Sequence, residues 1–177
     1  ARLVIRFIWV NIFGATLVPD NTVLMGIAAR FHHDLSTITT QLGFDYDRLT
    51  AHTIVVRLAH PKEPMVMLDG LTRTLAPDIL VIADARQAVA VAGVMGGESS
   101  AVTAQTRHLL LESALFDPIT VRRTARTLGL ATESSYRFER VVDPVGVDTA
   151  SARAADLILS LAGGRLGAVC DVGTKPS

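Results

Sequence analysis

The hydrophobic pattern changes period most clearly near residue 116. Up to about residue 116 the apolar residues come in short runs rich in Val and Ile: "RLVIRFIWV" at residues 2–10, "TIVVRLA" from Thr53, "MVMLDGLTRTLA" from Met65, "ILVIADA" from Ile79, "QAVAVAGVMGG" from Gln87 and "RHLLLESALF" from Arg107. Each predicts a strand, because β-branched side chains fit a pleated surface and runs this short do not fill a helix. Asp69-Gly70 divides "MVMLDGLTRTLA" into the two short strands of a hairpin, since its turn needs positive φ. In the first quarter, "NTVLMGIAARFHHDL" reads as a helix capped by Asn21 or Asp20. Beyond residue 116 the spacing becomes helical. Asp117-Pro118 starts a helix, with the carboxylate capping free N–H groups and proline at the first turn, where its missing N–H costs nothing. That helix, "PITVRRTARTLG", ends at Gly129, turns Val121, Ala125 and Leu128 toward a core, and sets Arg122 and Arg126 on one face with Arg123 beside them. A short helix follows in "TESSYRFER" (132–140). A third, "VDTASARAADLILSLAGG", carries Ala150, Ala154, Leu157 and Leu161 at helical spacing and stops at Gly163-Gly164, and "RLGAVCDVG" adds a last strand. Strands first and helices later predict an α+β fold.

Composition narrows the classes. The chain has 177 residues, 49% of them hydrophobic, enough to bury a core. Lys and Arg number 17 and so do Asp and Glu, so no global field gathers nucleic acid or an acidic membrane, and any such contact is local. The single Cys170 can form no internal disulfide and has no zinc-site spacing around it, which suits a reducing compartment. The apolar stretch Phe7 to Val18, broken by Asn11 and Gly14, is too short to span a membrane and is expected as a buried strand rather than a targeting segment. No initiator Met is present, so the chain is expected to begin inside a longer protein.

Several residue groups could carry chemistry. The cluster "AGVMGGESS" (Gly93, Gly96, Gly97) lacks the Lys-Ser/Thr of a phosphate-binding P-loop; it is either a tight turn or a place where backbone groups approach a ligand. Glu112 sits between apolar neighbours, so it must meet an arginine, with Arg122, Arg123, Arg126, Arg137 and Arg140 available downstream, or face a polar cavity. His32-His33-Asp34 has the wrong helical spacing for one metal ion, and no metal site is expected. Ser99, Ser100, Ser113 and Ser151 lie in no nucleophile elbow. The helix of Arg122, Arg123 and Arg126 is the best local patch for phosphate if RNA is a partner.

The stretch "VAGVMGGESSAVTAQTRHLLLESALFDPITVRRTARTLGLATESSYRFERVVDP", preceded in order by "FDYDRL", "IVVRLA", "LDG" and "VIADA", resembles the editing module of the β subunit of bacterial-type phenylalanyl-tRNA synthetase. The resemblance gives a poorly readable N-terminal segment, 1–43, expected to be part of the same domain, and the editing module at 44–177. It implies an α+β domain with a β-sandwich or mixed sheet of unusual topology and peripheral helices. It also implies a place beside a catalytic α subunit in an α2β2 ligase of the cytoplasm, or of an organelle. That ligase uses ATP and magnesium to charge tRNA(Phe), whereas the module itself needs no cofactor and hydrolyses tyrosine wrongly esterified to that tRNA.

Residue by residue, the family's site glycines fall on Gly93 and Gly96, its glutamate on Glu112 and its threonine on Thr132, with Ser134 where alanine is usual. Glu112 would accept the tyrosine hydroxyl, which phenylalanine lacks, while Gly93, Gly96, Thr132 and Ser134 complete the amino-acid site. No catalytic acid–base pair is identifiable; a positioned water is the expected nucleophile. Where the family reads P-L-H-A, this chain has Thr40-Gln41-Leu42-Gly43. Loss of that histidine favours a second reading, a module that keeps the fold and binds tRNA or its partner subunit without editing. A third is a freestanding relative that clears mischarged tRNA in trans.

Overall fold

In the computed structural model of the chain, residues 3–11, 41–103 and 105–173 are described. The expected helix over "NTVLMGIAARFHHDL" and the pair His32-His33 lie outside the described residues. The strands are β1 (Val4–Asn11), β2 (Gln41–Asp45), β3 (Val55–Leu58), β4 (Glu63–Val66), β5 (Thr72–Leu75), β6 (Leu80–Ala83), β7 (Ala88–Val91), β8 (Met95–Gly96) and β9 (His108–Leu115). Helices α1 (Pro118–Leu128), α2 (Glu133–Phe138) and α3 (Gly146–Ala162) follow, then β10 (Arg165–Gly173). This is the α+β class that the change of period predicts. The chain forms two compact units, each assembled from separate segments: unit 1 holds Ala1–Asp45, Val102–Leu115 and Val142–Ser177, and unit 2 holds Tyr46–Ala101 and Phe116–Val141.

Unit 1 is a four-stranded antiparallel sheet in the order β10-β1-β9-β2. One face of β9, through Leu109 and Leu111, packs with Ile8 and Val10 against Ala154, Leu157 and Ile158 of α3. The spacing of the apolar residues of α3 therefore matches a real stripe, as the sequence requires. A polar cluster fixes the helix start: Arg6 binds Asp171 across the β1–β10 pair at 2.7 Å and Asp148 in the first turn of α3 at 3.2 Å, while the Ser113 hydroxyl donates to the Val147 carbonyl. β10 is an edge strand, exposed along nearly its whole length.

Unit 2 combines the antiparallel sheet β3-β6-β7-β8 with the hairpin β4-β5. The hairpin turns at Asp69-Gly70, with Gly70 at φ 76, as the sequence predicts. These strands are four residues or shorter, so much of their backbone must be satisfied outside the ladders. Two carboxylates do this. Glu63 accepts two hydrogen bonds from Arg57, at 2.8 and 2.7 Å, and one each from the backbone N–H groups of His60 and Ala88. Asp84, in the polar corner between β6 and β7, accepts from the N–H groups of Thr50, Arg86 and Gln87. On the helical side, Asp117 accepts from Thr120 N at 2.8 Å and Gly129, left-handed at φ 65, closes α1.

The Arg57 guanidinium, helped by the two N–H donors, holds the Glu63 carboxyl at about 2, well below its ordinary 4.5. A depressed acid contributes stability above its unfolded pKa and loses it as the pH falls toward the folded one. Acid unfolding of the chain is therefore expected to include a loss between about pH 4.5 and 2 that a Glu63→Gln variant lacks. Glu63→Ala, which strands Arg57 and two N–H groups, should cost roughly 3 kcal/mol in denaturant melts at neutral pH.

Candidate functional site

Glu112 occupies the middle of β9 in unit 1, paired in register with Phe7 on one side and with Leu42 on the other. Its neighbours along the same face, Leu110 and Ala114, are buried, as is Phe7 beside it. The side chain is 3% exposed, its Oε2 has no hydrogen-bond partner, and it makes no ion pair among the described residues. Of the two fates open to it from sequence, pairing with an arginine is thus not realised. Burial alone pushes the carboxyl up from 4.5 to about 8. At neutral pH it is held as the uncharged acid, which offers one O–H donor and a carbonyl acceptor in an apolar frame. A polar group in that state is expensive unless something is there to bond it.

In unit 2, Gly93, Gly96, Thr132 and Ser134 come together around the connection from β7 to β8. Ala92–Val94 form a tight turn, so the first of the two readings of the glycine cluster describes its backbone. Gly93 has φ 69, and a Cβ placed there would lie 2.8 Å from Val121 Cγ2 and 3.0 Å from the Phe116 ring. Phe116 and Phe138 meet edge to face at 4.9 Å between centroids. Both conformation and crowding therefore demand glycine. Gly96 pairs with Ala90, and its carbonyl accepts from Leu68 N, which ties the hairpin to β8.

Helix α2 is hung from this turn by hydroxyls. Thr132 is its N-cap: Oγ1 accepts from Ser135 N at 3.0 Å and donates to the Val94 carbonyl at 2.7 Å, and the Ser135 hydroxyl returns the capping box by accepting from Thr132 N. Ser134 donates to the Gly93 carbonyl at 3.1 Å. The two polar side chains expected to line an amino-acid site thus also clamp a glycine turn. The capping role was legible as Thr-x-x-Ser; the bonds to Gly93 and Val94 join residues about 40 positions apart and leave no local signal.

The arginines find partners nearby in unit 2: Arg122 with Glu139, Arg123 with Asp78, Arg137 with Glu133 and Arg140 with Glu139. Sequence reasoning missed the stacking of Arg140, just past the end of α2, on Tyr136, 3.5 Å from the ring centroid, although i, i+4 spacing in a stretch read as helical signals it. The hydroxyls of Ser113 and Ser151 donate to backbone carbonyls, an arrangement without an activated nucleophile. Among the described residues no group of three or more His, Cys, Asp or Glu is arranged to hold a metal ion, and no helix is long and apolar enough to cross a membrane.

Residues 35–163 match the family of the B3/4 domain. Curated relatives include the phenylalanine–tRNA ligase beta subunit of Moorella thermoacetica, 54% identical over 124 residues, covering 70% of this chain and 15% of that protein. The subunit of the same name from Halalkalibacterium halodurans is 53% identical over 132 residues, covering 74% of this chain and 16% of the relative. The chain thus spans only about one-sixth of the length of these relatives. Among solved structures, an N-terminal fragment of the phenylalanyl-tRNA synthetase beta-subunit from Pyrococcus horikoshii superposes with a TM-score of 0.53 at 13% identity, over 92% of this chain and 46% of that one. It shares the fold.

Two stability measurements check this geometry. Gly93→Ala is expected to cost about 2–4 kcal/mol through left-handed strain and overpacking, against about 1–2 for Thr132→Val and less for Ser134→Ala, in denaturant unfolding. For Glu112 the sign runs opposite to Glu63: the folded chain keeps a proton that the unfolded chain releases, so stability falls as the pH rises from about 4.5 to about 8. Glu112→Gln should flatten that segment and melt higher than the parent near pH 8.

Proposed function

We propose, from the premise that the chain belongs to the B3/4 domain family, that it is the editing module of a phenylalanine–tRNA ligase beta subunit and hydrolyses tyrosine esterified to tRNA(Phe). One observation carries the reading: a fully buried carboxyl group, Glu112, held neutral in an apolar frame with an oxygen left unbonded. Tyrosine differs from phenylalanine by one hydroxyl. A synthetic pocket cannot reject it completely, whereas a second site with a buried group awaiting that hydroxyl can select it. The neutral acid can accept the phenol proton in a hydrogen bond through its carbonyl oxygen and donate its own proton to a lone pair of the phenol oxygen. A phenylalanyl ring would leave both capacities unmet.

The hydrolytic step then falls to water. Attack on the ester carbonyl breaks the bond between the amino-acid acyl group and the ribose oxygen, and releases tyrosine and uncharged tRNA. With no nucleophile or acid–base pair among the described residues, orientation of the ester and polarisation by backbone N–H groups supply the rate. Gly93, Gly96, Thr132 and Ser134 remain proposed contributors to substrate binding. In the assembled ligase, an α subunit in an α2β2 complex of the cytoplasm would charge the tRNA with ATP and magnesium; no residue of this chain is assigned to either.

Deacylation of Tyr-tRNA(Phe) tests the reading, with the purified chain and with the complete synthetase. Glu112→Ala is expected to slow it by about 10- to 100-fold, the worth of one buried hydrogen-bonded contact, and to leave Phe-tRNA(Phe) equally stable. A complete synthetase that hydrolyses Tyr-tRNA(Phe) no faster than buffer sinks the proposal. Unaltered rates in Glu112→Ala remove that residue from it.

A further inference from the structure

We infer that the outward face of α1 and α2 in unit 2 is a docking surface for an RNA strand, with Arg122, Arg126 and Arg140 gripping phosphates and Tyr136 offering a platform for an unpaired base. Helix α1 puts Ile119, Arg122 and Arg126 at i, i+3 and i+7, on one face, and Ile119 is 76% exposed. Glu139 joins the two helices on this side: its carboxylate lies 4.0 Å from Arg122 Nε and also binds Arg140, while Arg122 Nη2 donates to the Glu139 carbonyl at 3.4 Å. One carboxylate thus holds two guanidinium groups side by side, each with about half its side-chain surface exposed, and neutralises only one of them.

The other carboxylates of the segment are occupied elsewhere. Asp117 caps α1 at its far end, and Glu133 pairs with Arg137. Arg126, exposed on the same face, has no ion pair or side-chain hydrogen bond among the described residues. Between 117 and 140 five arginines stand against three carboxylates, in a chain whose total charge is zero. The segment therefore offers a polyanion a local excess of positive charge.

An aromatic residue decides the class of polyanion. Tyr136 is 55% exposed, and Arg140 stacks on one face of its ring at 3.5 Å. A planar cation stacked on an exposed ring, flanked by further arginines, suits alternating bases and phosphates; an acidic peptide would use the charges and leave the ring idle. The choice of RNA rests on the proposed substrate being an RNA ester, but docking is read by binding alone, so it can fail or succeed separately from hydrolysis.

The test is fluorescence anisotropy of the purified chain with a labelled RNA hairpin that ends in a single-stranded CCA, over a range of salt concentrations. Arg126→Glu is expected to weaken binding by about tenfold or more and to reduce the slope of log K against log salt by about one, while Arg126→Lys keeps most of the affinity. Tyr136→Ala should weaken binding of the overhanging hairpin and leave a blunt duplex unaffected. These positions are exposed, so melting temperatures should match the parent. Should the charge reversal perturb folding, the salt dependence of the unaltered chain still decides: binding insensitive to salt overturns the surface. So does equal affinity in folded Arg122→Glu and Arg126→Glu variants, or tighter binding of polyglutamate than of RNA. RNA binding without Tyr-tRNA(Phe) hydrolysis would uphold this surface and sink the editing function alone.

Discussion

Short strands leave backbone N–H groups without ladder partners, and the fold of unit 2 depends on side-chain oxygens that take their place. Glu63 collects N–H groups from the turn before β4 and from the start of β7, with Arg57 balancing its charge, and Asp84 does the same for the corner between β6 and β7. Asp117 and Thr132 repeat the device at the two helix starts. Each oxygen replaces the several longer strands that a larger sheet would use, since an unpaired buried N–H costs about as much as the bond it lacks.

Glu112 stands out against that economy. It lies in the eight-residue strand β9, where β1 and β2 pair with the backbone on either side of it. Its carboxyl group is therefore spent on nothing structural, and burial raises its pKa instead of any partner lowering it. The contrast with Glu63 is a difference of environment only: the same side chain is driven to about 2 by a guanidinium and to about 8 by burial with no partner to offset it. A destabilising group retained in a core is the physical ground for assigning it to a ligand.

The turn at Gly93 is held by the same residues that are proposed to bind substrate. Its glycine is required by φ and by the Phe116, Val121 and Phe138 side chains, and the hydroxyls of Thr132 and Ser134 engage its carbonyls. Replacing Ser134 with the alanine that the resembling family usually carries would free the Gly93 carbonyl. This couples the shape of the turn to the residue at 134. The hydroxyls of α2 thus set which backbone groups near Gly93 remain available.

The sequence by itself determined the class of element along most of the described chain, though not β2 or β8. The switch from alternating to helical spacing at Asp117-Pro118, the Asp69-Gly70 turn and the stop at Gly129 are local signals, set by backbone sterics and by hydrogen bonds within a few residues, and all three stand where they were expected. The motifs around Gly93, Glu112 and Thr132 were legible for the same reason, as contiguous letters. Tertiary structure alone decided the strand orders β10-β1-β9-β2 and β3-β6-β7-β8 and the interleaving of two units. It also decided that Glu63 and Asp84 rather than Glu112 serve the backbone, and that Glu139 gathers Arg122 of α1 and Arg140 just past the end of α2. Those outcomes depend on which distant groups come within hydrogen-bond reach, and a carboxylate carries no mark in the sequence of whether a donor will be there to meet it.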